Sequence, residues 1–265
     1  MIPHVEWRPD ADARPPAILF LHGLGSNARY WERVASHMRT RRLVALDLIP
    51  QDPADAQMER LLASIVQALD EHRLDRPVVV GHSWGAGLAL EFVARNPELT
   101  SGLVFVDGPV DGVARIFGWD EVEAFMQPPF PRYATLDGAV AHARGNLREA
   151  WGEDLVPFVE AGLRSDGGEL VARLTAPVRH QILRDLYASD PEQLWSKLQV
   201  PAAALIARKS DARISRSTEE GLVRVAEIAP AVRIKRFQTP HDIPLYAPAE
   251  VAQEIELLAR STIWV

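Results

Sequence analysis

Apolar residues along the chain form two kinds of pattern that alternate. Short, mostly apolar runs, which predict buried strands, lie at 17–21, 43–48, 77–80, 101–106 and 200–207, and further strands are predicted at 4–8 and 232–237. Apolar positions at helical spacing, which predict helices, lie at 28–38, 58–69, 84–95, 217–228 and 248–260. A strand that is apolar on both sides is covered by helices on both faces, so this alternation predicts an α/β fold with a mostly parallel central sheet.

The alternation stops between residues 110 and 197. There the pattern predicts helices near 119–126, 136–151, 154–164 and 177–187, and it predicts no strand. A helical block between two sheet strands indicates a lid over the strand ends where open α/β sheets bind ligands, although an extra helical layer that only adds stability is the alternative. The predicted organisation is a core in two parts, 1–109 and 198–265, with a helical lid at 110–197.

Composition excludes several classes of protein. The 265 residues are 47% hydrophobic, which is enough for one large domain, and the net charge of -7 does not favour nucleic-acid or anionic-membrane binding. The chain has no cysteine, which excludes disulfides and thiolate nucleophiles. No apolar run is long enough to span a bilayer and the first residues do not resemble a leader peptide, so a cytoplasmic location is expected.

The strongest chemical motif follows the predicted strand at 77–80. Residues 81–85 read Gly-His-Ser-Trp-Gly, which matches the G-x-S-x-G nucleophile elbow that presents a serine on a sharp turn between strand and helix. A Gly/Ser turn without function is the alternative for the pentapeptide taken alone. Three other polar positions also follow predicted strands: the loop that begins His22-Gly23, Asp211 and His241.

Together these motifs resemble the α/β-hydrolase superfamily, in its serine-nucleophile, lid-bearing, esterase-like branch. The resemblance covers nearly the whole chain apart from the lid, and it implies the α/β-hydrolase fold and a catalytic triad. By this resemblance Ser83 is the nucleophile, His241 the general base and Asp211 the acid that orients His241. The backbone N–H groups of Leu24 and Trp84 are the implied oxyanion hole.

Other polar residues near these motifs are assigned differently. Asp107 also ends a predicted strand and some members of the superfamily place their acid there, but the loop of Asp211 follows the strand that most members use. His22 and His82 lie beside glycines in tight turns, where a role in shape or hydrogen bonding is expected. No cluster of His, Asp and Glu has metal-ligand spacing, so neither a metal nor a cofactor is expected.

The expected activity is that of a carboxylesterase acting through an acyl-enzyme on Ser83. A serine at the elbow argues against haloalkane dehalogenase and epoxide hydrolase chemistry, whereas hydrolysis of C–C bonds, lactones or proline-iminopeptidase substrates uses the same triad. A non-catalytic small-molecule-binding protein is an alternative of another class. The expected partner is a small, apolar or aromatic ester, with no nucleic acid and no membrane span, and the sequence does not indicate an oligomeric state.

Aromatic residues of the predicted lid are candidates for contacting such a substrate. Most of them are expected to pack the lid onto the sheet instead. They are Phe117, Trp119, Phe125, Phe130, Tyr133, Trp151 and Phe158.

Overall fold

The structure is a computed structural model in which residues 2–8, 14–126 and 130–262 are described, apart from the side chains of residues 125 and 126. Strands in these ranges form two sheets. The strands are β1 (His4–Trp7), β2 (Ile18–Leu21), β3 (Leu43–Leu46), β4 (Val78–His82), β5 (Gly102–Val106), β6 (Arg132–Tyr133), β7 (Leu163–Asp166), β8 (Glu169–Ala172), β9 (Ala202–Ile206) and β10 (Arg233–Arg236).

The larger sheet has seven strands in the order β1-β3-β2-β4-β5-β9-β10. Only β1 pairs antiparallel with its neighbour, and the other pairs are parallel. The carboxyl ends of the six parallel strands therefore lie along one edge of the sheet. This arrangement confirms the predicted mostly parallel central sheet.

Helices cover both faces of this sheet. One face packs against α2, α3 and α10, and the opposite face packs against α1 and α12. The helices are α1 (Glu32–His37), α2 (Met58–Glu71), α3 (Trp84–Arg95), α4 (Val113–Ile116), α5 (Trp119–Met126), α6 (Leu136–Leu147), α7 (Val156–Ala161), α8 (Ala176–Ala188), α9 (Pro191–Trp195), α10 (Ala212–Ile228), α11 (Ile243–Tyr246) and α12 (Pro248–Ser261). None of these helices is long and apolar enough to cross a bilayer.

The two-sided burial explains why the central strands are continuously apolar. In β2, Leu19 and Leu21 contribute to the core on the α2 and α3 face, whereas Ile18 and Phe20 contribute to the core on the α1 and α12 face. Successive strand residues point to opposite faces, so a strand buried on both sides has no position at which a polar side chain reaches water.

The insertion, meaning residues 110–197 between β5 and β9, differs from its prediction. The helices predicted near 119–126, 136–151 and 177–187 correspond to α5, α6 and α8. However, the prediction that the insertion has no strand is wrong, because β6, β8 and β7 form a three-stranded antiparallel sheet.

The predicted helix at 154–164 ends at Ala161 because a hairpin follows it. Gly167 and Gly168 connect β7 to β8 with φ angles of +62° and +86°. A two-residue hairpin turn with positive φ at both positions is typical of a Gly-Gly pair, since glycine adopts this conformation without steric cost. The Gly-Gly dipeptide was the signal for this hairpin in the sequence.

Polar contacts fasten the insertion to the core next to α1. Arg33 pairs with both carboxylate oxygens of Asp154, at 2.6 and 2.8 Å, and also donates to the carbonyl oxygen of Ala150. Asn27 donates to the carbonyl oxygen of Phe158 at 3.0 Å. These contacts hold the region of α6 and α7 against the loop that follows β2.

The turn from β4 to α3 places Ser83 in a backbone conformation that is rare for a residue with a side chain, with φ of 56° and ψ of -121°. Its glycines permit close backbone contacts. A Cβ atom on Gly81 would lie 2.1 Å from the carbonyl oxygen of Gly85, and a Cβ atom on Gly85 would lie 2.3 Å from the carbonyl oxygen of His22. Side chains at either position would push α3 away from the sheet.

Gly81→Ala should therefore lower the free energy of unfolding by about 3 kcal/mol, because the methyl group has no space beside fixed backbone atoms. Gly145→Ala is the matched control, since nothing lies within 4 Å of its added Cβ in α6. The control should raise stability by about 0.5–1 kcal/mol through helix propensity. Urea denaturation measures both, and wild-type stability of Gly81→Ala would contradict the close contact.

Candidate active site

Ser83 borders an open groove of about 280 Å³ at the carboxyl edge of the sheet. Four parts of the chain form its walls: the loop after β2, the β4–α3 turn, the insertion and the segment that follows β10. The lining residues are Gly23, Leu24, Gly25, Ser26, Tyr30, His82, Ser83, Ala143, Asn146, Leu147, Phe158, His241, Asp242 and Leu245. Residues from α6 and α7 are among them, so the insertion contributes to the groove.

His241 shares this groove with Ser83 and is paired with Asp107. The distance from His241 Nδ1 to Asp107 Oδ2 is 2.6 Å, with the His241 side chain 50% exposed and the Asp107 side chain fully buried. An ionised carboxylate only accepts hydrogen bonds, so Nδ1 carries the proton in this pair. The lone pair of neutral His241 is then on Nε2, which is the arrangement that a general base requires.

The second oxygen of Asp107 is also satisfied. Asp107 Oδ1 accepts from the backbone N–H of Ala207 at 2.8 Å and from Lys209 Nζ at 2.6 Å. Burial by itself raises the pKa of Asp107, but the hydrogen bonds from His241 and Lys209 and their charges outweigh burial and hold this pKa below its ordinary value. Asp107 is therefore ionised at neutral pH.

The expected contact between Asp211 and His241 is not present, and this part of the sequence prediction is wrong. Asp211 is exposed and lies at the N-terminus of α10, where its carboxylate accepts from the backbone N–H groups of Arg213 and Ile214 at 2.8 and 3.0 Å. Aspartate at this position is a helix N-cap. The helix begins at Ala212, whereas the apolar pattern predicted a start at residue 217.

The position of Asp107 in the chain also indicates that it, and not Asp211, pairs with His241. It directly follows β5, which is the neighbour of β4 in the sheet, so its side chain starts next to the turn that carries Ser83. Its φ of 49° is uncommon for a residue other than glycine, although aspartate and asparagine adopt it more readily than most. An aspartate at such a turn, beside the strand that leads to Ser83, is a better candidate for pairing with His241 than one immediately before a helix.

The Ser83 hydroxyl and the backbone N–H groups of Leu24 and Trp84 have no hydrogen-bond partner among the described residues. Ser83 Oγ makes no hydrogen bond within the described ranges, although the Ser83 backbone N–H donates to Val106 at 2.9 Å. The backbone N–H groups of Leu24 and Trp84 likewise donate to no partner in the part of the chain that is described. Trp84 is the first residue of α3, and the first N–H groups of a helix have no partner within it.

His82 supports the segment that carries His241. Its Nε2 lies 3.1 Å from the carbonyl oxygen of His241, which can only accept, so Nε2 carries the proton. Burial, reinforced by the neighbouring His241, lowers the pKa of His82 to about 3. Tyr30 stacks on His82 with ring centroids 4.8 Å apart and donates to Asp242 at 3.1 Å. The neutral His82 ring thus joins two parts of the groove wall, as expected for a hydrogen-bonding role.

His22 connects the loop after β2 to the loop after β3. Its Nδ1 donates to the carbonyl oxygen of Gly23 at 2.8 Å, and its Nε2 accepts from the backbone N–H of Leu48 at 3.0 Å. Burial lowers the pKa of His22, which keeps the ring neutral. The same loop presents Leu24 to the groove, whereas His22 is not among the groove residues, so His22 acts by holding the backbone of this loop.

Of the aromatic residues in the insertion, Phe158 lines the groove. Phe117 and Trp119 pack instead on the small cluster that includes Val122 and Leu183. The side chain of Phe125 lies outside the described residues. Phe130, Tyr133 and Trp151 are not among the groove residues. This distribution is the one expected if most aromatic residues serve to pack the insertion.

Comparison with known proteins adds independent information. The model of the alpha/beta hydrolase family matches residues 18–254. Lipase LipV of Mycobacterium tuberculosis is 29% identical over 155 residues, which are 56% of this chain and 56% of that lipase. The chain thus spans about half the length of this curated relative.

Solved structures show the same fold at low sequence identity. A thioesterase domain from the curacin biosynthetic pathway has a TM-score of 0.75 and 18% identity, covering 96% of this chain and 94% of that one. E-2-(acetamidomethylene)succinate hydrolase has a TM-score of 0.77 and 18% identity, covering 93% and 92%. The family model matches most of the sequence, and the fold and the strained serine at the β4–α3 turn agree with that match. The chain therefore belongs to the alpha/beta hydrolase family.

Proposed function

We propose that the protein is a serine hydrolase that cleaves carboxylic esters, with Ser83 as nucleophile, His241 as general base and Asp107 as the acid of the triad. The observation that carries this proposal is the 2.6 Å pair between buried Asp107 and His241, with His241 lining the same groove as Ser83 at its strained turn. The likeness to a lipase supports ester chemistry. Residues 110–197 act in this proposal as a lid.

The proposed reaction begins when a substrate carbonyl carbon comes within reach of Ser83 Oγ. His241 Nε2 takes the hydroxyl proton as the oxygen attacks, and Asp107 stabilises the imidazolium that forms. The oxyanion accepts hydrogen bonds from the backbone N–H groups of Leu24 and Trp84, which are otherwise unpaired. His241 then protonates the departing alcohol as the ester C–O bond breaks. In the second half of the reaction His241 takes a proton from water as the water oxygen attacks the acyl carbon, and it returns that proton to Ser83 Oγ as the bond between Ser83 and the acyl group breaks.

The groove beside Ser83 is lined mainly by apolar side chains. Leu24, Leu147, Phe158 and Leu245 line it together with the Tyr30 ring, and its volume of about 280 Å³ suits a small acyl or alcohol group. Apolar lining with few polar groups favours ligands that bury hydrocarbon surface. An ester with a short apolar or aromatic group is therefore the proposed substrate class.

The role of Ser83 can be tested with a fluorophosphonate probe, which reacts with activated serines. Wild-type protein should be labelled and should hydrolyse p-nitrophenyl esters, whereas Ser83→Ala should do neither, because the attacking oxygen is gone. Ser26→Ala is the matched control, since Ser26 lines the same groove. Labelling is measured by gel fluorescence, and labelling of Ser83→Ala would contradict the assignment.

The acid of the triad is distinguished by two isosteric substitutions. Asp107→Asn should reduce kcat by about 10³-fold or more, because a neutral amide cannot stabilise the imidazolium of His241. Asp211→Asn should change kcat by less than about twofold, because asparagine is also a good N-cap for α10. Steady-state hydrolysis of a p-nitrophenyl ester measures both, with circular dichroism as a check on folding. The reverse order would show that Asp211 is the acid.

Lys209 is a positioning residue in this proposal. Its ammonium group lies 2.6 Å from Asp107 Oδ1, and its side chain is only 16% exposed. The hydrogen bond and charge of Lys209 are among the interactions that hold the pKa of Asp107 below its ordinary value. Lys209 therefore keeps Asp107 ionised and holds its carboxylate in place beside His241.

Lys209→Met removes this charge and keeps most of the side chain's length. Asp107 Oδ1 then loses one of its two donors, so kcat for a p-nitrophenyl ester should fall by about tenfold while KM stays close to that of wild type. Lys209→Arg keeps the charge and should restore most of kcat. Wild-type kcat in Lys209→Met, or the same loss in Lys209→Arg, would contradict the positioning role.

A further inference from the structure

Three potential metal ligands that are distant in sequence meet at the edge of the sheet. His4 and Glu6 lie on β1 two residues apart, so both side chains point to the same face of the strand. His72 follows the last residue of α2. One ligand atom from each of the three residues lies within 4.8 Å of the others, and the two imidazole rings are 4.1 Å apart.

The hydrogen bonds of His4 and Glu6 leave suitable atoms free. His4 Nδ1 lies 3.1 Å from the carbonyl oxygen of Ile2, which can only accept, so Nδ1 carries the proton and Nε2 has the lone pair. Glu6 Oε1 accepts from Arg42 Nε at 2.5 Å, whereas Oε2 accepts from no described residue. In metal sites, ligating histidines donate their other N–H to a carbonyl group and ligating carboxylates accept further hydrogen bonds, which is the pattern seen here.

His72 supplies an independent observation. It is only 7% exposed, and its Nε2 is fully buried without a hydrogen-bond partner in the described ranges. A buried nitrogen without a partner is costly, so most such groups in folded proteins are satisfied. A metal ion in the space shared with His4 and Glu6 would give a ring nitrogen of His72 a partner.

The backbone holds His72 firmly at this place. After α2, Arg73 adopts a φ of 50° and the N–H of Leu74 donates to the carbonyl oxygen of Leu69 at 2.9 Å, which together form a Schellman-type helix end. Arg42 Nη1 also donates to the carbonyl oxygen of His72 at 2.6 Å. The same arginine thus contacts both Glu6 and His72 and keeps β1 next to the end of α2.

We propose that His4, Glu6 and His72 bind a divalent transition-metal ion of the zinc class, with water completing the coordination. Two imidazole nitrogens and one carboxylate oxygen are a ligand set that suits zinc. The ligand atoms lie within 4.8 Å of one another, and rotation of the partly exposed His4 and Glu6 side chains permits them to reach Zn–N bonds of about 2.0–2.1 Å.

The ion would connect the edge strand β1 to the end of α2, and none of its three ligands lines the groove of Ser83. Its effect is therefore on stability and not on the chemistry at Ser83. His72 is distant in the sequence from the His4-x-Glu6 pair, so motif spacing could not indicate this site and only the fold brings the ligands together.

The test is isothermal titration of chelator-treated protein with zinc chloride, together with thermal unfolding at saturating zinc. Wild-type protein should bind one ion with a dissociation constant in the micromolar range or tighter, and its Tm should rise by about 5 °C. His4→Ala should weaken binding by more than about tenfold and abolish the rise in Tm. His4 is partly exposed on an edge strand, so this variant should fold.

Further variants make the result decisive. Glu6→Gln keeps the shape of the side chain and His72→Phe keeps a buried ring, and both should weaken binding as His4→Ala does. His37→Ala removes an exposed histidine elsewhere and should bind zinc like wild type, as should His241→Ala, which removes the groove histidine. Absence of binding by wild-type protein, or unchanged binding by His4→Ala and Glu6→Gln, overturns the proposal.

Discussion

Asp107 holds a negative charge where no water reaches it, and the arrangement of the groove follows from how that charge is satisfied. Removing an isolated carboxylate from water costs several kcal/mol unless donors replace its hydration. Asp107 has three such donors: the Nδ1 of His241, the Nζ of Lys209 and the N–H of Ala207. They come from the segments after β10 and β9, so one carboxylate connects three separate segments at the carboxyl edge of the sheet. The orientation of His241 is then a consequence of burying Asp107.

The position of Asp107 depends in turn on the strand order. β5 lies between β4 and β9, so the residue after β5 is next to the serine turn on one side and next to the Ala207 loop on the other. Asp211 lies further along the chain, beyond that loop, and its carboxylate satisfies N–H groups at the start of α10. Both aspartates stabilise backbone or side-chain donors, but only Asp107 does so within reach of His241.

The sequence predicted the structure correctly where the local residue pattern and the overall fold both require the same residue types. The continuous apolar runs correspond to strands buried on both faces, and Gly81 and Gly85 mark the close contacts of the β4–α3 turn. It failed where one local pattern fits two different structures and only tertiary contacts decide between them. Asp211 is both a loop aspartate and an N-cap, and residues 163–169, mostly polar or glycine, match a helix end as well as a hairpin whose strands are half-exposed. The meeting of His4, Glu6 and His72 depends on sheet pairing and has no local pattern.

The residues that follow two neighbouring strands have strained backbone conformations, and in both cases a hydrogen bond to the next strand holds the strained residue. Ser83 and Asp107 have φ of 56° and 49°, a region that costs a residue with a side chain on the order of 1 kcal/mol. Each of these residues donates its N–H to the next strand: Ser83 to Val106 of β5 at 2.9 Å, and Asp107 to Leu205 of β9 at 2.8 Å. The sheet ladder therefore continues through both strained residues before the chain turns. Because the ladder holds both backbones, the side chains of Ser83 and Asp107 leave the same edge of adjacent strands in fixed directions.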